Sequence, residues 1–293
     1  MYCEYRFGSL DTKLVLVAPH AGYLIPTSFP DRRDGCLVNG TCIYHYKYHC
    51  ETTNHSRPCK VDIKNDFLTK RLTNALAEAI YNITNLQPHV IINYLGRIKV
   101  DMNRPLNIAT FHHPSAVLAY REFHRYIALA KSLVGRHGDG TGLLIDVHGQ
   151  NHAEGWIELG YALSKDLINK IQDLSSNKSL LNQSSIRSLA QRVSQYVNFE
   201  DLVRGTKSLG KYLQGQNPNF TVVPSPKTPR PDTGGYFCCN HIIKTHGSRH
   251  HGNIDAVQVE TPRKYREDDT YNRYVNDLAT AVVHFMKLYR TEK

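Results

Sequence analysis

Leu143-Leu144-Ile145-Asp146-Val147-His148-Gly149 is the stretch whose reading decides the fold. A short apolar run with Ile and Val reads as a buried strand, in a sheet covered on both faces. It ends in Asp-Val-His-Gly, where the chain must leave the sheet. Residues two apart on a strand point to the same side. Asp146 and His148 therefore lean together at the strand's carboxyl end, the edge where open α/β sheets put their sites. A His beside a carboxylate suits a metal ligand whose ring is oriented by that acid.

Leu14-Val15-Leu16-Val17-Ala18-Pro19-His20-Ala21-Gly22 repeats the theme, an apolar strand running into a His before Pro and Gly turn the chain. Asp255-Ala256-Val257-Gln258-Val259-Glu260-Thr261-Pro262 alternates as a strand and ends on a carboxylate, so Glu260 is a candidate general base at the same edge. His89 to Leu95 is a further strand. It leads into Gly96-Arg97-Ile98-Lys99-Val100-Asp101-Met102-Asn103-Arg104-Pro105. Guanidinium groups grip carboxylates bidentately, so Arg97 and Arg104 are candidates for holding an anionic substrate, with a surface salt-bridge loop as the alternative.

Helical periods fill the intervals. From Asp66, Leu68, Leu72, Leu76 and Ile80 recur at four-residue spacing. Asp66 stands where an N-cap would sit; it is equally placed to be the acidic ligand between His20 and His148. Ser115 to Val134 reads as a helix with Phe123, Ile127, Ala130 and Leu133 on one face, and His124 as packing. Ser164 to Tyr212 is mostly helical, and Asp269 to Leu288 is a closing amphipathic helix. Trp156, Glu154 and Glu158 lie in a segment that could wall a pocket. Gly234-Gly235 permits a close backbone approach. Thr245 to Gly252 carries three histidines but no regular period, and reads as a solvated loop.

With 293 residues, 41% of them hydrophobic, the chain can bury a large core, and no repeat or linker divides it. One domain over 1–293 is expected, with a Cys-rich surface insertion at about 30–60. The formal charge of +10 attracts acidic partners. Lys and Arg are scattered, and no aromatic–basic interleaving marks a nucleic-acid platform. No apolar run approaches a membrane span. Cys36, Cys42, Cys50 and Cys59 fall in one polar segment without paired zinc spacing, the pattern of a disulfide-stapled loop. Cys238 and Cys239 are expected to pair with distant cysteines, and an odd cysteine is left over. Glycosylation sequons begin at Asn39, Asn54, Asn82, Asn177, Asn182 and Asn219, so a secreted glycoprotein bearing N-glycans is expected. No signal peptide follows Met1, which reads as a mature or trimmed form.

Taken in series, several motifs resemble the N-formylglutamate amidohydrolase family. They are Ala18-Pro19-His20-Ala21-Gly22 with Ile25-Pro26, Asp66-x-x-Thr69, Arg97 with Val100-Asp101-Met102-Asn103-Arg104, Asp146-Val147-His148-Gly149, Gly234-Gly235-Tyr236 and Val257-Gln258-Val259-Glu260. The resemblance implies an α/β fold of the zinc-exopeptidase (phosphorylase/hydrolase-like) type, a mixed, mostly parallel central sheet flanked by helices. It implies one Zn²⁺ held by His20, His148 and an acid, with water in the open position. Glu260 would shuttle the proton, Arg97 would polarise the carbonyl, and Asn103 with Arg104 would hold a substrate carboxylate. Carboxypeptidases supply the acid as His-x-x-Glu; here that position is Tyr23. Asp66 takes its place as the expected ligand, with Asp146 as the second candidate and otherwise the acid that orients His148.

The expected function is therefore a secreted zinc hydrolase that cleaves an amide next to a carboxylate, in an acidic small molecule, peptide or polymer such as an acyl-glutamate or γ-glutamyl chain. The alternative is a non-catalytic secreted protein that binds an anionic ligand in the same basic pocket.

Overall fold

The computed structural model describes residues 2–48, 58–170, 173, 178–267 and 269–289. Its strands are β1 (Cys3–Arg6), β2 (Leu14–Ala18), β3 (Gly35–Val38), β4 (Thr41–Ile43), β5 (Pro58–Cys59), β6 (His89–Asn93), β7 (Gly142–Gln150), β8 (Ile157–Gly160), β9 (Val222–Val223) and β10 (Ile254–Pro262). Seven of them form one sheet in the order β1-β6-β2-β7-β10-β8-β9. The inner strands β6, β2, β7 and β10 run parallel. β1 and β8 are antiparallel to β6 and β10, and β9 runs parallel to β8. The sheet is thus mixed and mostly parallel.

Helices cover both faces. They are α1 (Thr69–Thr84), α2 (Leu106–Thr110), α3 (Pro114–Arg136), the short α4 (Lys165–Lys170), α5 (Lys178–Gln183), α6 (Arg187–Arg192), α7 (Phe199–Val203) and α8 (Leu209–Gln216), then α9 (His241–His246), α10 (Lys264–Glu267) and α11 (Tyr271–Met286). On one face Leu16, Ile145, Val147, Val257 and Val259 pack against Leu72, Leu76 and Ile80 of α1 and Leu278 and Val282 of α11. On the other, Val17, Ile91, Leu144 and Ala256 pack against Phe123, Ile127 and Ala130 of α3 and Ile242 of α9.

The alternation on this second face sets up the site. After Leu144 the same side of β7 carries Asp146 and His148; after Ala256 the same side of β10 carries Gln258 and Glu260. All four are buried, so an apolar floor becomes polar at the carboxyl edge without opening to bulk water.

Several local expectations are corrected. α1 starts at Thr69 after Leu68, whose φ is +63°, and no side chain caps it. Asp66 is therefore not an N-cap: its backbone carbonyl accepts from Thr69 N and Oγ1 while its carboxylate points elsewhere. On α3 the buried position is Val134 rather than Leu133, one step round the helix. Cys238 and Cys239 bond to each other, not to distant cysteines. His246 lies in α9 and is buried, with its Nε2 2.8 Å from His124 Nδ1, not in a solvated loop.

The Cys-rich segment forms its own three-stranded sheet, β4-β3-β5, with a Cys42–Cys59 disulfide. Cys50, Asn54 and Asn177 lie outside the described residues. Cys3 is a free, buried cysteine. No helix among the described residues is long and apolar enough to cross a membrane.

Leu72 is fully buried at the α1–sheet contact, whereas Leu118 on α3 is 68% exposed. Leu72→Ala should cost about 2–5 kcal/mol of unfolding free energy, the lost transfer energy plus a cavity, and Leu118→Ala under about 0.5 kcal/mol. Denaturant unfolding of the two variants checks the packing.

Candidate metal centre

β2 ends at Ala18, and Pro19 carries the chain to His20; β7 delivers His148; the turn before α1 delivers Asp66. One ligand atom from each of His20, Asp66 and His148 lies within 4.8 Å of the others, and all three residues are buried. Asp66 Oδ2 is the meeting point. It sits 2.8 Å from His148 Nδ1 and 3.4 Å from His20 Nδ1, and accepts from Gly149 N at 3.2 Å.

Each imidazole is backed on its far nitrogen by a second buried carboxylate. His20 Nε2 is 2.8 Å from Asp101 Oδ1, and His148 Nε2 is 3.1 Å from Asp146 Oδ2. This is how ligating histidines are oriented and made more basic. His20 Nδ1, aimed at Asp66, is buried and makes no hydrogen bond. A buried nitrogen without a partner is costly in a folded protein, and a cation between the three residues would satisfy it. The donor set fits a divalent metal: two nitrogens, one carboxylate oxygen and oriented rings.

The electrostatics agree. Burial opposes ionisation of Asp66, but the two imidazoles overcome it and hold the carboxyl well below the usual carboxylate range. Burial likewise opposes ionisation of Asp101, and His20 and Arg97 reverse it. Burial disfavours a charged His148, yet Asp146 and Glu260 drive its pKa well above the ordinary value. The surrounding carboxylates thus favour a positive charge where His20, Asp66 and His148 converge.

Glu260 lies opposite His148 in the β7–β10 register and is 3% exposed. Its Oε1 accepts from Gln258 Nε2 at 2.8 Å, and burial pushes its pKa up to about 8.

The Arg97–Arg104 loop divides by role. Arg97 donates through Nε to Asp101 Oδ2 (2.8 Å) and through Nη1 to Asp62 Oδ2 (2.9 Å), so its guanidinium braces the acid behind His20. Arg32 donates to the Arg97 carbonyl and lies 3.6 Å from Asp101 Oδ2. Asn103 does not face an open substrate space. It is fully buried, its Oδ1 accepts from Ile242 N at 2.8 Å, and its Nδ2 lies 2.8 Å from His148 Nε2 and 3.4 Å from Asp146 Oδ2. Its amide is spent on protein partners, which corrects the substrate-binding expectation for it. Arg104 is half-buried and donates to the Asn103 carbonyl and Asn240 Oδ1. Among the described residues it has no carboxylate within salt-bridge reach.

The sequence pattern assigned no role to Asp101, although it sits between Arg97 and Arg104, the two basic residues singled out for that loop. Tyr23, at the position of the expected Glu, is 54% exposed and leaves the acidic corner to Asp66.

No family model and no curated protein matches the sequence. Among solved structures the chain is similar to N-formylglutamate amidohydrolase from Ralstonia eutropha JMP134, at 12% identity and a TM-score of 0.48, over 98% of this chain and 97% of that one. It is similar to murine aminoacylase 3 at 12% identity and a TM-score of 0.35, over 95% and 65% of the two chains. It is also similar to N-acetylmuramoyl-L-alanine amidase from Clostridium difficile 630, at 12% identity and a TM-score of 0.30, over 95% and 97%. Function is read from the side chains themselves.

Competition with a chromophoric chelator should show one high-affinity zinc per chain, abolished in His148→Ala. Asp101→Asn should keep the stoichiometry and weaken zinc binding by about 10–100-fold, the usual loss when an orienting partner of a ligating His is removed. Wild-type affinity in Asp101→Asn would contradict its orienting role.

Proposed function

We propose that the protein is a secreted, zinc-dependent hydrolase that cleaves an amide bond next to a carboxylate, on an acyl-glutamate or a γ-glutamyl peptide or polymer. The observation that carries this reading is the convergence of His20, Asp66 and His148 beside Glu260 at one strand-end edge. His20 and His148 would hold the ion through nitrogen and Asp66 through oxygen, leaving a position for water or substrate. Bound there, zinc supplies a Lewis acid for the amide carbonyl and brings the pKa of a water toward neutrality.

This chain's residues supply the rest. Glu260 takes the proton of the attacking water on Oε2, because Oε1 is held by Gln258. A base with a pKa near the working pH transfers protons most effectively, and burial places Glu260 at about 8. Arg104, with no acid partner among the described residues, holds the substrate carboxylate, and the +10 net charge draws acidic substrates in. A binding protein has no use for a buried base beside a ligand triad, and both Asp66 and Glu260 stand at the His pair.

Two features support secretion. Asn39, Asn82, Asn182 and Asn219, the sequon asparagines among the described residues, are all exposed. The Cys42–Cys59 disulfide suits an oxidising compartment.

Zinc-loaded protein assayed on a panel of N-acyl-L-glutamates and γ-glutamyl amides should release free amine. Glu260→Gln should retain its zinc and lose about 10²–10⁴-fold in kcat. An undiminished rate in that variant would remove Glu260 from the chemistry. Expressed in a eukaryotic secretory host, the chain should migrate above its polypeptide mass and collapse on endoglycosidase treatment; a band that does not shift contradicts the glycoprotein reading.

A further inference from the structure

A cavity of about 280 Å³ opens directly on the candidate metal centre. Asp66 lines it, as does Gly149, the residue after His148; Asn65, Phe67, Asn151, Arg263 and Arg266 complete the lining. Its volume is at the small end of ligand pockets, which suits a compact polar group.

Both arginines follow closely on Glu260. Pro262 ends β10, Arg263 comes next, and α10 carries Arg266 against the β7 backbone. A Cβ at Gly149 would fall 2.5 Å from Arg266 Cζ, so this approach needs the glycine after His148.

The side chains of the lining offer donors. Asn65 Oδ1 accepts from Arg97 N at 2.7 Å, and Asn151 Oδ1 accepts from Arg266 Nη2 at 3.4 Å. Backbone N–H and guanidinium groups only donate, which fixes both amide orientations. The two Nδ2 groups are left without a partner among the described residues. Arg263 Nε donates to Glu267 Oε2 at 2.5 Å, and its two Nη groups likewise have no partner there. Asp66 is the one acid in the lining.

Arg266 also lacks a counter-charge. It is 1% exposed and donates to the Thr261, Gln150 and Phe67 carbonyls, with no carboxylate in salt-bridge reach among the described residues. Burial pulls its pKa below the usual guanidinium range, opposed first by Asp66 and then by Glu260 and Glu267. A divalent ion on Asp66 would take up that acid's charge and leave the buried guanidinium uncompensated, which is costly. An anion in the cavity compensates it.

We propose that this cavity is a second carboxylate subsite, in which Arg263, Asn65 and Asn151 hold one carboxylate of the substrate beside Arg266. The inference rests on the hydrolase reading above, in which Arg104 holds the other carboxylate. The substrate is then a dicarboxylate, as an acyl-glutamate is, and Arg263 selects it over the singly charged glutamine analogue. The two Nη groups of Arg263 form the fork that grips a carboxylate bidentately, and each asparagine adds one N–H donor.

Arg263 and Asn151 are exposed, so Arg263→Gln and Asn151→Ala should fold; zinc content and the thermal midpoint confirm it. Zinc-loaded wild type should cleave N-acetyl-L-glutamate about 10–100-fold better in kcat/KM than N-acetyl-L-glutamine, the worth of a hydrogen-bonded charge. Arg263→Gln should erase most of that preference, through KM on the glutamate substrate, and Asn151→Ala should reduce it. Calorimetry reads the subsite without turnover. L-glutamate should bind the zinc-loaded wild type about 10–100-fold more tightly than L-glutamine, and Arg263→Gln should bring the two affinities together. A preference that survives Arg263→Gln, or equal losses on both substrates, overturns the subsite while the hydrolase reading stands. A wild type that cleaves neither substrate overturns the hydrolase reading, and calorimetry then decides the subsite alone: equal affinity for the two amino acids, or no binding of either, overturns it.

Discussion

Asp66 brings a carboxylate into a compartment where it is only 8% exposed, and burial alone would keep it protonated. It is ionised because His20 and His148 close on the same oxygen from two strands. Everything at this edge of the sheet follows from satisfying that charge. A fixed anion facing two imidazoles needs a cation between them, either a shared proton or a metal. The orphaned His20 Nδ1 marks where the metal alternative has its open valence.

The surrounding structure holds that arrangement in place. Asp101 and Asp146 fix the far nitrogens of the two rings, and each is braced in turn: Asp101 by Arg97 and Arg32, Asp146 by the amide of Asn103. Asn103 is tied through Ile242 N to α9, so the helix that packs under the sheet also sets the ring angle of His148. Parallel register then places Glu260 beside His148 with no loop between them, and strands position a side chain more rigidly than a loop would. Arg104, adjacent in sequence to Asn103, donates to the Asn103 carbonyl and to Asn240 Oδ1 and has no carboxylate within salt-bridge reach among the described residues.

What the sequence made legible is what alternation encodes. His148 and Glu260 lie at the ends of apolar strands, a pattern that points to the sheet edge but not to a shared face; the β7–β10 register sets them opposite each other. Asp66 was ambiguous because a carboxylate before a helix serves equally as a cap or a ligand. The left-handed Leu68, which delays the helix to Thr69, frees its side chain. Asn103 and Arg104 were read as a unit, yet neighbouring residues outside regular structure need not point together. Asp101 was hidden because it stands outside regular structure and its partner His20 is 81 residues away in the chain. The Glu158–Glu260 adjacency depends on strand order, since β8 pairs with β10 across a long helical excursion that no local pattern reveals. Cys238 and Cys239 bond to each other, a pairing that spacing alone does not select.

Zinc-edge X-ray absorption on the purified, zinc-reconstituted protein tests the central claim most directly. Two imidazoles and a carboxylate predict a first shell of nitrogen and oxygen only, at about 2.0–2.2 Å, with the multiple scattering of two histidine rings. That signature should vanish in His148→Ala. A sulfur shell at about 2.3 Å, or no protein-bound zinc after reconstitution, would contradict the account.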